Sequence, residues 1–333
     1  MAHQRIVELM SVPETDRDLQ WLQQSLVSAV QLELATLPPY LTAYWSITSG
    51  GTAADLILGI TRDEMFHMGQ MANILTGTGG TPAINVPGEI PTYPGPLPGG
   101  VRPELTVYLA GLSSDWLDAV AMQIEYPEGG PIALFRGECF PTIGSFYDAI
   151  QGVITATQPV FDSSKQLKMP IGDDMVKIIT TPAEAVAAIE IIKVQGEGTR
   201  TSPQAGSSLA HYYEFAEIFH GRTLVFDSTG SWSYSGDPIP FPDVYPVAPI
   251  PQDGYPGATG DALKNLTEFN AAYSSLLDLL QAAWVTANPR TLQEAVGAMF
   301  SLGGFATALM AIPIPGGTGN YGPTWVYTSS QQK

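Results

Sequence analysis

Two long apolar helical stripes, each of which continues into ionisable residues, constrain this chain more than any other feature. Apolar residues recur at helical spacing at positions 19, 22, 26 and 30, and the same spacing reaches Glu33. A second stripe passes through positions 53, 57 and 60 and reaches Glu64 and His67. Burying a carboxylate without a partner costs several kcal/mol, so these groups must be neutralised or coordinated in the folded chain.

The stripes predict two long helices, over about residues 16–49 and from Gly51 to the glycines of TGTGG. The short glycine turn between them predicts an antiparallel pair. Pro38 and Pro39 predict a kink or a short break in the first helix, since proline removes a donor and restricts the preceding residue.

The rest of the chain also reads as helical, with long loops between the helices. Further helical patterns lie at about 114–126, 142–157, 182–196, 206–221, 260–287 and 290–312. Proline and glycine are too frequent in 77–104 for a helix or a central strand, and 226–259 is polar, proline-rich and aromatic. The sequence therefore predicts an all-α fold, with residues 1–225 as a metal-binding domain and 226–333 as a loop and C-terminal helical pair packed on it.

Composition excludes several kinds of partner. The 333 residues include 14 Lys and Arg against 32 Asp and Glu, a formal charge of -18 that opposes binding to nucleic acid or to an anionic membrane. There is no run of about 18 apolar residues and no apolar segment at the start, so we expect a cytoplasmic location. Cys139 is the only cysteine, which excludes an internal disulfide and a thiolate metal cage.

Glu64 and His67 form a Glu-x-x-His motif, whose spacing places both side chains on one side of a helix. Two residues match such a motif by chance in many helices. The motif gains weight because Glu33 lies at a similar depth on the facing helix, and the three groups form half of a carboxylate-bridged di-metal site of the kind built in helical bundles. Two alternatives remain open: Glu33 and His67 form a buried ion pair, or Glu64 points outward beside Arg62 and Asp63.

Three residues are candidates for the other half of the site. Glu125 ends an apolar helix but precedes Pro127, so a core ligand and an exposed helix end are both open. Glu197 follows an apolar stripe but lies between two glycines and could be a loop carboxylate. His211 shares a face with Phe215 and Ile218, where a histidine is more often a satisfied core residue than a ligand.

Other chemistries have little support in the sequence. The glycine-rich TGTGGTP follows a helix and lacks a Walker lysine, so a phosphate site is not indicated. No G-x-S-x-G elbow occurs, and Cys139 has no evident histidine partner.

Several segments together resemble a known family. They are LELATLPPYLTAYWSI, RDEMFHMGQMANILTGTGGTP, PTYPGPLPGG, IEYPE, TIGSFYDAI, VQGEG, AHYYEF and GPTWVY. In this order they resemble the ferritin-like family of imino-acid dimer synthases, of the iminophenylpyruvate type found in the violacein and rebeccamycin pathways. The resemblance implies a ferritin-like bundle with a non-haem iron centre, and a role in natural-product biosynthesis by coupling or oxidising imines of aromatic amino acids.

Carried over residue by residue, the resemblance supports six metal ligands. They are Glu33, Glu64, His67, Glu125, Glu197 and His211. The chain departs from the family pattern at Ser145, where related sequences often have an acid, so one metal position is in doubt.

These patterns predict a non-haem iron oxidase or oxygenase with one or two iron ions, or manganese in their place. Oxygen and nitrogen donors without thiolate suit either metal. Glu64 and His67 would be the catalytic ligands, with Glu64 bridging and Glu33 terminal. The partners would be dioxygen or peroxide and a small aromatic amino-acid-derived substrate. The alternatives are a metal-handling protein without substrate turnover, and a structural or partner-binding helical protein; the sequence leaves the oligomeric state open.

Overall fold

The computed structural model describes residues 5–127, 142–198, 202–206, 208–228 and 230–329. Cys139 lies outside these residues, as does the side chain of Glu197. Helices dominate the part of the chain that is described. They are α1 (Arg5–Ser11), α2 (Leu19–Ser46), α3 (Thr52–Gly77), α4 (Ser114–Trp116), α5 (Met122–Ile124), α6 (Ile143–Thr157), α7 (Pro182–Glu197), α8 (His211–His220), α9 (Gly260–Thr286) and α10 (Pro289–Met310).

Helices α2 and α3 pack as the antiparallel pair that the sequence predicts. Asp18 caps α2 by accepting a hydrogen bond from the Trp21 amide at 2.9 Å, which satisfies one of the free donors at a helix start. Near that end, Gln23 donates to the carbonyl of Thr78, just beyond α3, at 2.7 Å. The C-terminal half of α3 therefore lies beside the N-terminal half of α2.

The sequence predicts a kink or a short break at the two prolines, and the structure shows no break in α2. The helix runs from Leu19 to Ser46 with Pro38 and Pro39 inside it. Pro39 has no N–H to bond the carbonyl of Ala35 one turn earlier. The hydroxyl of Tyr93 donates to that carbonyl at 2.6 Å, so a side chain from the following loop replaces the missing helical donor.

Helices α5, α7 and α8 complete the site. A π-helical turn, Leu117–Ala121, joins α4 to α5, and Glu125 lies at the C-terminal end of α5. Thr181 and Glu184 form a reciprocal capping box at the start of α7. Helix α8 begins directly at His211.

Three antiparallel hairpins are the strand elements among the described residues. Strand β1 (Met169–Ile171) pairs with β2 (Asp174–Val176), β3 (Gln204–Ala205) with β4 (Ser208–Leu209), and β5 (Arg222–Phe226) with β6 (Trp232–Pro238). The interpretation of 226–259 as loop was wrong at its start, where β6 lies. The helix predicted over 206–221 begins only at His211, since residues 206 and 208–210 are not helical. The cross-strand pair Phe226 and Trp232, with ring centroids 5.1 Å apart, explains why a polar segment forms a hairpin.

The C-terminal region contacts the α2–α3 pair through buried tryptophans. Trp284 of α9 donates to the side chain of Asn73 at 3.1 Å, and Trp325 donates to the hydroxyl of Thr42 at 2.9 Å. Trp284 also belongs to the same apolar core as Leu22 and Ile57. Among the described residues, no helix combines the length and the apolar character needed to cross a membrane.

Candidate metal centre

Four segments bring five ionisable side chains together in the core. Glu33 comes from α2, Glu64 and His67 from α3, Glu125 from the end of α5 and His211 from the start of α8. They form two groups of three, Glu33–Glu64–His67 and Glu64–Glu125–His211, and the ligand atoms within each group lie within 4.8 Å of one another. All five residues are buried.

Glu64 lies between the two groups and belongs to both. Its Oε1 atom is 3.6 Å from Nδ1 of His67 and 2.9 Å from Nδ1 of His211. Its Oε2 atom accepts a hydrogen bond from the Thr36 hydroxyl at 2.9 Å. Glu64 is therefore the carboxylate that two metal ions would share if both groups held one.

Glu33 and Glu125 occupy equivalent places on the two sides of Glu64. Oε2 of Glu33 is 3.7 Å from Nδ1 of His67, and Oε2 of Glu125 is 3.6 Å from Nδ1 of His211. The remaining oxygen of each carboxylate accepts a hydrogen bond from a buried tyrosine, Tyr147 for Glu33 and Tyr40 for Glu125. Each terminal carboxylate is thus held by one oxygen and presents the other to the centre.

The tautomer of His67 follows from its hydrogen bonds. Asp174 can only accept, so Gln195 directs its Nε2 amide toward Asp174 at 3.1 Å and its Oε1 atom toward His67. Nε2 of His67, 2.9 Å from that oxygen, must therefore carry the proton. When the ring is neutral, the lone pair of Nδ1 points at the carboxylates, as a metal ligand requires.

His211 has the same orientation. Its Nε2 atom lies 3.4 Å from Oδ2 of Asp63, and its Nδ1 atom faces Glu64 and Glu125. Nδ1 is buried and lies 2.9 Å from Oε1 of Glu64, but it forms no hydrogen bond of favourable geometry among the described residues. A buried polar atom without a well-oriented hydrogen bond is costly, and a metal ion between Nδ1 and the carboxylates would satisfy it.

Without a cation, the centre holds protons in its place. Burial by itself would lower the pKa of His67, but hydrogen bonds to Glu33 and Glu64 raise it to about 10. Burial, followed by the charge of Glu64, raises the pKa of Glu33 to about 7. Burial would also raise the pKa of Glu64, but both histidines hold it below its ordinary value. Carboxylates and imidazoles packed this closely require positive charge between them.

The donor set fits a divalent metal ion. Within the part of the chain that the structure describes, three carboxylates and two imidazoles converge without a thiolate, which suits iron or manganese. Each histidine has a partner on its outer nitrogen, the arrangement that orients imidazole ligands in metal sites.

A small cavity of about 40 Å³ borders the centre. Glu33, Glu64, His67 and Glu125 line one side of it. The aliphatic residues of its wall are Leu32, Leu97, Ile124, Ile143 and Ile192. It has room for about three water molecules, which matches a diatomic molecule and a few waters better than an aromatic substrate.

The structure brings together five of the six candidate ligands. Glu125 is buried, with 7% of its surface exposed, so it is not a wet helix end. Glu64 points inward, whereas the adjacent Asp63 is partly exposed. The sixth candidate, Glu197, has a side chain outside the described residues. Ser145 belongs to neither group and instead bonds Thr142 at the start of α6.

Sequence reasoning missed the residues that hold the ligands. The position of Tyr40 could have been predicted, because it lies seven residues after Glu33 and therefore two turns along the same face of α2. Thr36 lies on that face too. Gln195 and Tyr147 reach the centre from other helices, and no local pattern marks them.

The comparisons with known proteins agree with this architecture. The model of the family described as Ferritin-like matches residues 26–220, which carry all the candidate ligands and exclude α9 and α10. A crystal structure of a ferritin-like protein from Caulobacter vibrioides superimposes with a TM-score of 0.63 at 22% identity, covering 92% of this chain and 97% of that chain. No curated protein matches the sequence.

The match to that structure shows the fold alone, because the identity is low. The prediction of a helical, ferritin-like fold is confirmed by both matches. The family match covers more than half of the 333 residues and includes the whole cluster of buried carboxylates and histidines. The chain therefore belongs to the ferritin-like family.

Proposed function

We propose that this protein is a dinuclear non-haem metal oxidase or oxygenase, with iron as the first candidate and manganese as the second. The observation that carries the proposal is that Glu64 is shared between two groups of ligands with the same composition. Glu33 and His67 would hold one ion, Glu125 and His211 the other, and Glu64 would bridge them. A reduced metal pair supplies electrons to dioxygen or peroxide when it is bound.

The surrounding side chains support that role. Tyr147, Tyr40 and Thr36 each donate to one carboxylate oxygen, which fixes the ligands before metal arrives. Besides the ligands, the cavity wall is mainly aliphatic and also includes Lys193. The cavity size is appropriate for dioxygen or peroxide next to Glu33 and His67.

For the organic substrate, we propose a small aromatic amino-acid derivative, such as an imine that is oxidised or coupled in natural-product biosynthesis. The resemblance to imino-acid dimer synthases supports this choice. A cavity of about 40 Å³ is too small for an aromatic ring, so this substrate would need an opening of the wall. We also propose that 1–225 is the metal-binding unit and that 226–333, with α9 and α10, is an addition packed on it.

A second candidate is a metal-handling protein that oxidises or stores metal ions without an organic substrate. The small aliphatic cavity favours this alternative. Both candidates need the same two metal positions. They differ in whether oxygen uptake depends on an added organic compound.

Metal analysis tests the proposed centre. Protein produced with iron or manganese supplementation should contain about two ions per chain. Glu64→Ala should lose both ions, because it removes a ligand from each group, and His67→Ala should lose at least one. Glu268→Gln on the exposed face of α9 and His220→Asn in the last turn of α8 are matched controls that should keep both.

Normal metal content in Glu64→Ala and His67→Ala would refute the centre.

Oxygen consumption of the loaded protein, measured with and without aromatic amino acids treated with an amino-acid oxidase, then separates the two candidates. Uptake that rises with the imine supports the oxidase or oxygenase. Uptake in proportion to added Fe²⁺ alone supports metal handling.

A further inference from the structure

The two histidines of the centre have different partners on their outer nitrogens. His211 donates from Nε2 toward the carboxylate of Asp63 at 3.4 Å. His67 donates from Nε2 to the neutral amide oxygen of Gln195 at 2.9 Å. The nearest carboxylate behind His67 is Asp174, which acts only through Gln195.

This difference changes how strongly each imidazole binds a metal ion. A carboxylate partner increases the basicity of the opposite ring nitrogen more than a neutral amide does, and changes in such partners alter metal affinity by about 10–100-fold. Asp63 is 32% exposed, so solvent weakens its effect but does not remove it. The inner ligands do not offset the difference, because each side has one terminal glutamate held by one tyrosine.

The cavity distinguishes the two sides independently. Glu33 and His67, the two unshared ligands of one position, both line it, whereas Glu125 is the one unshared ligand of the other position that does. The ion held by Glu33 and His67 would therefore face the space available to small molecules with both of these ligands. The ion held by Glu125 and His211 would border that space through Glu125.

We infer that the two metal positions are unequal: the position of Glu64, Glu125 and His211 fills first and binds more tightly, and the cavity-facing position of Glu33, Glu64 and His67 fills second and exchanges. Asp63 and Gln195 are the positioning residues that set this order. The inference rests on the proposed dinuclear centre and adds a loading sequence to it.

A calorimetric titration of the metal-free protein with Mn²⁺ tests the order of binding. The wild type should show two steps that differ in affinity by about tenfold or more. Asp63→Asn should weaken the first step about tenfold and leave the second in place. Asp55→Asn, on the exposed surface of the same helix, is the matched control and should change neither step.

The double variant Gln195→Glu/Asp174→Asn gives the reciprocal test. It places a carboxylate behind His67 and introduces at position 174 an amide that can donate to that carboxylate, so the second step should become about tenfold tighter. Damage to the fold would weaken binding, so a gain in affinity cannot come from a merely structural role. Asp174→Asn alone removes the distant charge and should not tighten the step.

Two outcomes would overturn the inference while leaving the dinuclear centre intact. One is two steps of equal affinity in the wild type, and the other is a weaker second step with an unchanged first step in Asp63→Asn. No Mn²⁺ binding by the wild type would instead refute the proposed function itself.

Discussion

At the scale of single residues, the centre depends on side chains that touch the ligands from outside. Tyr147, Tyr40 and Thr36 each bond one carboxylate oxygen, and Gln195 and Asp63 each bond one histidine. A buried carboxylate that loses such a donor keeps its desolvation cost and loses its orientation. Substitutions at these contacts should therefore affect metal binding without removing a ligand.

Tyr147→Phe is the simplest test of that idea. It removes the donor to Glu33 in the core and should weaken metal binding at the position of Glu33 and His67 about 10–100-fold, measured by competition with a chelator. Tyr327→Phe is the control, because it removes a similar tyrosine–carboxylate bond, to Asp278, at the surface. Equal metal affinity in Tyr147→Phe and Tyr327→Phe would contradict the role of the tyrosine.

The protons of the metal-free centre predict how stability depends on pH. His67, whose pKa is raised to about 10, stabilises the folded protein below its ordinary pKa of 6.5, and this contribution is lost as pH rises through about 10. Glu33, whose pKa is raised to about 7, also stabilises the folded protein below its ordinary pKa of 4.5, and this contribution is lost as pH rises through about 7. A bound metal ion replaces these protons.

The difference in Tm between metal-loaded and metal-free protein should therefore widen from pH 6 to pH 9. Thermal unfolding at several pH values measures it, and proton release on adding Mn²⁺ in weak buffer provides a second readout. A difference in Tm between the two forms that becomes smaller as pH rises would show that protons do not occupy the metal-free centre.

At the scale of elements, helix α2 shows how a loop can compensate for a local defect. Pro38 and Pro39 remove helical donors immediately after Glu33, yet the helix continues for another seven residues to Ser46. The hydroxyl of Tyr93 replaces one of the missing donors at the carbonyl of Ala35. The loop that carries Tyr93 thus helps to maintain the helix that places Glu33 and Tyr40.

Tyr93→Phe should leave the Ala35 carbonyl without a donor. The expected cost is about 1–3 kcal/mol in the free energy of unfolding, measured by urea denaturation of the metal-free protein. Tyr327→Phe again serves as control, with an expected change below about 1 kcal/mol because water can reach the partly buried bond that Tyr327 makes to Asp278 and replace it. A change in Tyr93→Phe no larger than in the control would show that α2 does not depend on this contact.

At the scale of the whole molecule, Asn73 joins three parts of the chain in the core. Its side-chain NH2 group donates to the carbonyls of Leu167 and Lys177. Its side-chain oxygen accepts hydrogen bonds from the amide of Leu167 and from the indole of Trp284 on α9. Asn73 is fully buried and lies on α3, two turns beyond His67. The C-terminal helices are thereby linked to the helix that carries the Glu-x-x-His motif.

Asn73→Ala should leave several buried polar groups unpaired. Each such group costs about 1–3 kcal/mol, so the free energy of unfolding should fall by more than that amount, as measured by urea denaturation. Asn265→Ala in α9, at a half-buried position, should change it by less than about 1 kcal/mol. Equal losses in the two variants would argue against a linking role for Asn73.

The sequence by itself determined the α2–α3 pair and the placement of Glu33, Glu64 and His67, because apolar periodicity within one helix fixes which side chains face the core. Only the tertiary structure decided that Glu125 is buried, since the exposure of a helix end depends on what packs over it. It also decided that His211 completes a second group around Glu64, and that Gln195 and Asp63 orient the two histidines. These contacts join residues from distant helices, and no local spacing records them.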